Sequence, residues 1–284
     1  MNGQAPPPAA TPGLPEQESF IRKVREHIKT DPDLQTQYTY RESRRDVKVS
    51  KLGKVTLGPL RTFEVYPSNK PGRTYKRLVS VDGKPLDPAE LARRDQAHRD
   101  HVIAVVQQEQ NESPELRAKR LQKEAKELQE RRDTIDDGFA IYEIQLVGRE
   151  TLGGLPMIVA TLTPRPNAKT KTDVGKWMKK FRGRAWVSES DLELAKLDVE
   201  AIDDITIGLG LVGRVHKGSR FIFTRTKVNN EEWLPAEARF EASGRTLLFR
   251  KFRIDTITQY SNYKKHNVDT SETFALPKDD DDHR

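Results

Sequence analysis

Apolar and charged residues alternate along residues 217–255, which read KGSRFIFTRTKVNNEEWLPAEARFEASGRTLLFRKFRID. A period of two is typical of β-strands that bury one face, and turn-forming clusters divide this stretch into three runs. Similar runs fill residues 37–86 and resume after Asp136-Asp137-Gly138, where the sequence predicts a turn. Together these runs predict about ten strands joined by tight turns, which is an antiparallel arrangement.

Helical periodicity is confined to three segments. In residues 15–29, Phe20, Val24 and Ile28 recur at i, i+4 and i+8, which predicts one amphipathic helix. A second, short helix is predicted within residues 172–181.

The third helical segment is a charged excursion over residues 87–133. Ser113, Pro114 and Glu115 supply an N-cap, a proline at the first helical position and an early acid, so this excursion is predicted to contain two helices. Their apolar stripes are thin, and one buried apolar side chain contributes only about 1.5–3 kcal/mol. We therefore expect these helices to cover a sheet and not to anchor one.

Many strands joined by tight turns, with few helices between them, predict the α+β class. The expected architecture is a curved antiparallel sheet with helices packed on a single face, the concave one. One domain over residues 15–268 accounts for the pattern. It lies between a Pro/Ala-rich segment at residues 1–14 and a tail at residues 269–284, both of which are predicted to be disordered.

Composition narrows the possible classes of protein. A chain of 284 residues with 35% hydrophobic and 33% charged residues can bury a core and is too apolar for wholesale disorder. It has no cysteine, which excludes a disulfide framework and a thiolate zinc site, and no apolar run long enough to span a bilayer. The net charge of +7 lies on predicted strands, because residues 37–81 hold 11 Lys/Arg and 3 Asp/Glu, and residues 213–265 hold 12 and 5.

Motifs for catalysis or cofactor binding are weak. Gly208, Gly210 and Gly213 spell the dinucleotide-binding pattern, but only six residues separate Gly213 from the next strand. That spacing is too short for the helix the motif requires, so a bend between strands is predicted. His98 and His101 share one helix face without a further ligand from another segment, which favours a solvated charged face over a metal site. We predict no enzyme activity, no cofactor and no metal.

Basic strands interleaved with tyrosines also occur in nucleic-acid-binding proteins, since Lys and Arg neutralise phosphates and aromatic rings stack on bases. Tyr38, Tyr40, Tyr66 and Tyr75 fit that pattern. No RNP-like string accompanies them, and the charge can equally solvate the outer face of the sheet. Nucleic acid is therefore a disfavoured partner.

The apolar side of the sheet leaves two alternatives open. Phe221 and Phe223 share one face while Ile222 lies opposite, and Phe252 and Ile254 share a face. Either the helices fill the space over these side chains, as in an ordinary core, or a gap stays open to an apolar guest.

Several strands resemble the outer-membrane lipoprotein-sorting proteins, the LolA/LolB-like group. The resemblance spans residues 15–266 and rests on patterns such as RAWVS, EEWLPAEARF and the closing YSNYKKH. It implies an incomplete antiparallel barrel closed by helices that act as a lid, with an apolar interior that binds lipid or lipoprotein acyl chains in the periplasm. The charged excursion departs from the family pattern, and no single arginine here matches the family's lid-latching arginine.

The working hypothesis is a non-enzymatic periplasmic binding protein whose signal peptide has been removed. Its expected ligand is a lipid or a lipoprotein acyl chain, and its basic strands would meet an anionic membrane surface or an acidic partner protein. The alternative is a protein-interaction or envelope-sensor module of the same fold with a filled interior. The predicted wall residues are Phe63, Val65, Trp186, Phe221, Phe223, Trp233, Leu248 and Phe252.

Overall fold

A single antiparallel sheet organises the chain. The computed structural model describes residues 13–28, 34–68, 70, 73–207, 213–246 and 250–265. Its helices are α1 (Gln17–Ile28), α2 (Pro88–Gln110), α3 (Pro114–Ile141) and α4 (Asp173–Met178). Its strands are β1 (Tyr38–Val49), β2 (Val55–Tyr66), β3 (Tyr75–Val81), β4 (Lys84–Pro85), β5 (Tyr142–Leu152), β6 (Leu155–Pro164), β7 (Phe181–Ser188), β8 (Leu194–Ala201), β9 (Ile205–Ile207), β10 (Gly213–Val215), β11 (Arg220–Val228), β12 (Glu232–Thr246) and β13 (Lys251–Lys265).

The sheet is open and has two free ends. Its strand order is β4-β3-β2-β1-β13-β12-β11-β8-β7-β6-β5, with β10 pairing β12 and β9 pairing β10. Every pair in this order is antiparallel, and β4 and β5 do not pair with each other. The predicted α+β class with an incomplete antiparallel barrel is confirmed. The described residues form thirteen strands and not the ten or so expected, because β4, β9 and β10 are only two or three residues long.

The predicted helix starts are confirmed by their capping hydrogen bonds. The hydroxyl of Ser113 accepts from the backbone N–H of Leu116 at 3.3 Å at the start of α3. The hydroxyl of Thr172 accepts from the N–H of Gly175 at 2.9 Å at the start of α4. Such caps satisfy backbone donors that have no partner within the helix.

The turn predicted at Asp136-Asp137-Gly138 was wrong. Helix α3 continues through these residues to Ile141, and β5 begins at Tyr142. Asp137 is buried, and its carboxylate accepts from the backbone N–H groups of Lys171 and Thr172 at 2.8 and 2.9 Å. These partners are more than thirty residues away in sequence, so the residues next to Asp137 could not predict them.

The two faces of the sheet differ in what covers them. Phe20 and Val24 of α1 pack on Ile158 and Val187, so we call this side the α1 face. Side chains alternate between faces along a strand, and aligned residues on neighbouring strands share a face. Register therefore carries the α1 face across the sheet, from Ala160 to Ala185 and Leu197 and on to Phe223.

The opposite face is polar over its central strands. Arg220 forms a two-pronged ion pair with Asp198 at 2.6 and 2.7 Å, and Arg239 pairs with Asp255 at 2.7 Å. Cross-strand pairs of this kind place the charge of the strands in solvent.

The glycine-rich string joins two short antiparallel strands. β9 pairs with β10 through Ile207 and Gly213, so only five residues connect their ends. A connection of this length leaves no room for the helix that the dinucleotide-binding motif requires. Gly208 and Gly210 lie outside the described residues.

Candidate functional site

The candidate site is a wall of half-buried aromatic side chains on the α1 face of the central strands. Phe221 of β11 is aligned with Phe240 of β12, and Phe223 with Ala238. The rings of Phe221 and Phe223 are nearly parallel, with centroids 6.5 Å apart. From Lys251 to Ser261 of β13 the even-numbered residues, which share this face, are half-buried, whereas their odd-numbered neighbours are exposed.

Tyrosines extend the wall onto β1. The ring centroid of Tyr40 lies 6.0 Å from that of Tyr260 and 5.5 Å from that of Tyr263. Asn262 has a positive φ of 55°, a backbone state that marks an irregularity in β13. This irregularity lets Tyr260 and Tyr263 approach the same ring, although they are an odd number of residues apart.

Beyond the tyrosines the wall becomes ionic. Glu42 is 2% exposed, and its carboxylate pairs with the Arg44 guanidinium and, at 2.8 Å, with the Lys76 ammonium. The Arg44 guanidinium also lies 5.2 Å from the ring centroid of Phe63, a cation–π contact. The charged groups of Arg44 and Lys76 therefore lie directly beside the aromatic side chains of the wall.

The wall tyrosines stay protonated across the physiological range. Burial raises the pKa of Tyr40 to about 12, and the neighbouring Glu42 carboxylate adds to the shift. Burial also raises the pKa of Tyr260 and of Tyr263. Their hydroxyl groups can donate hydrogen bonds at neutral pH but do not serve there as bases.

The helices contact the sheet mainly near its two ends. α1 and the last turn of α3 pack over β5 to β8, where Phe20, Val24 and Phe139 join Ile158 and Val187 in one cluster. α2 contacts β3 from the opposite face, where Asp95 accepts from the Tyr75 hydroxyl at 2.6 Å. Met178 of α4 and Phe221 of β11 both pack against a buried cluster on the α1 face that contains Ile141, Ala185 and Val199.

Five of the eight predicted wall residues lie on this wall. Phe221 and Phe223 line β11, and Phe252 lies on β13 beside Gly244. Phe63 and Val65 occupy β2, aligned with Glu42 and Tyr40 of β1. All five are half-buried except Val65, which is fully buried.

The two predicted tryptophans belong to a separate packed cluster. Trp186 neighbours Ala185, so it points to the face opposite the wall, and its indole donates to Glu150 at 2.7 Å. Trp233 is 3% exposed and packs in the same cluster, with its indole N–H donating to Asp191 at 2.8 Å. These side chains fill a core and do not line the wall. Leu248 lies outside the described residues.

Sequence reasoning missed the polar half of the wall. Tyr40, Glu42 and Arg44 recur at every second residue, so their spacing would have placed them on one face. Tyrosines on basic strands indicate either a stacking surface for bases or ordinary core and surface positions, and neither interpretation predicts an ionic cluster beside them. Tyr66 and Tyr75 in fact lie on the opposite face, where the ring of His98 stacks on Tyr75 at 4.0 Å.

Other features of the described chain do not form a competing site. A shallow groove of about 320 Å³ lies on the opposite face, lined by Ser43, Arg45 and Ile257 among others. No group of three potential metal ligands occurs among the described residues. None of the helices in the described ranges combines the length and the apolar character that a membrane span requires.

Comparison with solved structures finds remote likenesses. A DUF1329 family protein from Desulfovibrio piger is 12% identical, with 89% of this chain and 94% of that chain covered and a TM-score of 0.30. A LolA superfamily protein from Nitrosomonas europaea is 12% identical, with 88% and 94% covered and a TM-score of 0.26. A chain of the MucA/MucB complex of Pseudomonas aeruginosa is 10% identical, with 87% and 93% covered and a TM-score of 0.23.

The LolA-like group is thus among the matches. No protein-family model and no curated protein matches this chain. At such low TM-scores, function has to be argued from the wall itself.

Proposed function

We propose that this chain is a non-enzymatic binding protein that shields an apolar chain, from a lipid or a lipoprotein, against the aromatic wall. The observation that carries the proposal is the half-buried state of Phe221, Phe223 and Phe240 at the centre of the sheet. A finished core would bury these rings, as it buries Trp186 and Trp233. Apolar surface left open in this way is typical of ligand sites.

The size of the wall suits a long apolar chain. From β11 to β2 the sheet makes four steps between neighbouring strands, which is about 19 Å at the usual strand spacing. Each methylene buried on such a surface contributes about 0.8 kcal/mol, so an acyl chain can bind without any covalent step.

The polar groups on the wall favour binding over catalysis. The Glu42 carboxylate is occupied by two cations, and raised pKa values keep the tyrosine hydroxyl groups from acting as general bases at neutral pH. We infer a periplasmic location from the resemblance to the lipoprotein-sorting proteins. Fractionation of the natural host with an antibody to this chain tests that location.

Native mass spectrometry of the protein purified from its natural host tests the binding function. The expected result is a mass shift that disappears after extraction with organic solvent and leaves a lipid in the extract. A protein that is ligand-free when purified and that also fails to bind a fluorescent fatty acid would contradict the proposal.

A second candidate, a protein-interaction module, is favoured by one observation. Leu116, Leu121 and Leu128 of α3 are 50–55% exposed. Leu121 and Leu128 are seven residues apart and therefore share one side of the helix. The paired substitution Leu121→Glu and Leu128→Glu should leave fatty-acid binding intact, and loss of a partner protein in co-purification from the host would support this candidate.

A further inference from the structure

The ionic end of the wall carries more positive than negative charge. Within the described part of the chain, Arg44, Arg61 and Lys76 form ion pairs with two carboxylates, those of Glu42 and Asp46. Asp46 accepts from Arg44 at 3.2 Å and from Arg61 at 2.7 Å, so the five groups form one connected network. With all five ionised the network has a net charge of +1.

The opposite face of β1, β2 and β3 carries an ionic network whose positive and negative charges are equal in number. There Arg41 and Arg77 pair with Glu64, and Arg77 also pairs with Asp95 of α2 at 2.9 Å. Two cations meet two carboxylates, and no charge is left over. The surplus cation on the α1 face is therefore not a general property of these basic strands.

The surplus charge is accessible from the wall. The side chains of Arg44 and Arg61 are each 35% exposed and that of Lys76 is 41% exposed. The side chain of Glu42, which lies between Arg44 and Lys76, is only 3% exposed. The buried carboxylate holds the cations in place while their outer N–H groups remain open to solvent. A guanidinium fixed in this way can donate to a phosphate or carboxylate with little loss of conformational entropy.

The geometry points to an anion subsite at Arg44 and Lys76 that holds the phosphate or carboxylate head group of an amphiphile whose apolar chain lies along Phe221 and Phe223. This inference rests on the proposed function. The orientation of the bound amphiphile follows from the strand order, because β3, β2 and β1 carry the cations while β11 and β12 carry the phenylalanines. An amphiphile bound across the strands would meet charge at one end and only apolar surface at the other.

Binding of two amphiphiles with the same acyl chain tests the subsite. Isothermal titration calorimetry with lysophosphatidylglycerol, which carries an anionic phosphate, and the corresponding monoacylglycerol, which carries no charged group, is performed on the full chain below the concentrations at which they aggregate. One charge-assisted hydrogen bond gained by the phosphate predicts an approximately tenfold tighter Kd for lysophosphatidylglycerol. In the Arg44→Gln/Lys76→Gln variant that preference should vanish while the Kd for the monoacylglycerol stays within about twofold of its original value.

Two further variants keep the test independent of folding. The first variant removes the ion triad formed by Glu42, Arg44 and Lys76, with the substitutions Glu42→Gln/Arg44→Gln/Lys76→Gln. It leaves no buried carboxylate without a partner. Arg41→Gln is the matched control, because Arg41 lies on the same strand, is paired to an acid on β2 and points to the opposite face. The triad variant should behave like the double variant, and Arg41→Gln should keep the wild-type preference.

Each outcome has a separate meaning. An equal affinity for lysophosphatidylglycerol and the monoacylglycerol, or a preference that survives loss of Arg44 and Lys76, overturns the subsite while the binding function stands. Failure to bind either amphiphile overturns the proposed function itself. Inorganic phosphate titrated alone distinguishes the source of the anion. If phosphate binds the wild type but not the double variant, and the wild type shows no preference for the anionic lipid, the subsite takes free phosphate and the head-group assignment is wrong.

Discussion

Removing the two stacked rings at the centre of the wall should weaken ligand binding far more than removing their neighbour on the same strand. The perturbation is Phe221→Ala/Phe223→Ala, with Ile222→Ala as the control. Ile222 lies between the two phenylalanines, is also half-buried, and points to the opposite face. The three side chains therefore share a strand and a degree of burial but not a surface.

The expected magnitude follows from the area that a ligand would cover. Fully burying a phenylalanine is worth about 1.5–3 kcal/mol, and about a third or less of each side chain is exposed without ligand. Covering that part amounts to about 0.5–1 kcal/mol for each ring, or about 1–2 kcal/mol for the pair. That difference corresponds to a Kd raised about 5- to 30-fold.

Fluorescence anisotropy of a labelled fatty acid measures this Kd, and thermal unfolding confirms that each variant is folded at the assay temperature. Ile222→Ala should bind within about twofold of the wild type, because its side chain does not reach the wall. The reasoning is refuted if the double variant binds as tightly as the wild type, or if Ile222→Ala loses as much affinity as the double variant does.

Two further predictions concern the stability of the frame that positions the wall. A Cβ at Gly175 would lie 2.2 Å from a carboxylate oxygen of Asp137, which is held by hydrogen bonds, so Gly175→Ala should lower the free energy of unfolding in urea by about 1–3 kcal/mol. Gly138→Ala, with nothing within 4 Å of its Cβ position, should raise the free energy of unfolding by about 0.5–1 kcal/mol. Changes of the same sign in the two variants would contradict a clash at Gly175. Burial alone would raise the pKa of Asp191, but hydrogen bonds from the Trp233 indole and from other donors outweigh burial and lower that pKa to about 2. Because the folded-state pKa is depressed, the ionised carboxylate stabilises the fold above pH 4 and loses this effect as the pH falls towards 2. Asp191→Asn should therefore cost about 2 kcal/mol at pH 7 and about 1 kcal/mol less at pH 3, and a difference that does not change with pH would exclude the ionised form as the cause.

Local signals were sufficient for the elements whose causes are local. Phe20, Val24 and Ile28 defined α1 through their spacing, and Ser113 marked the start of α3, since a helix start depends on neighbouring residues alone. The alternation of Phe221, Ile222 and Phe223 gave the correct faces of β11 for the same reason. The open antiparallel sheet followed from many such strands separated by short turns.

Other features depended on partners distant in sequence. Asp137 reads locally as part of a turn, yet Lys171 and Thr172 bind its carboxylate and the helix runs on. Trp186 and Trp233 have the size of ligand-site residues, and only the packing of β6 to β8 with β12 shows that they fill a cluster of their own.

The sequence by itself determined the class of fold, the faces of individual strands and the surplus of basic residues on them. Only the tertiary structure decided that Phe63 and Phe221, far apart in the chain, share one wall, and that Glu42 is buried between Arg44 and Lys76. The physical reason is that a period of two fixes which residues share a face within one strand. Which strands become neighbours, and what covers them, is set by pairing and packing over the whole sheet.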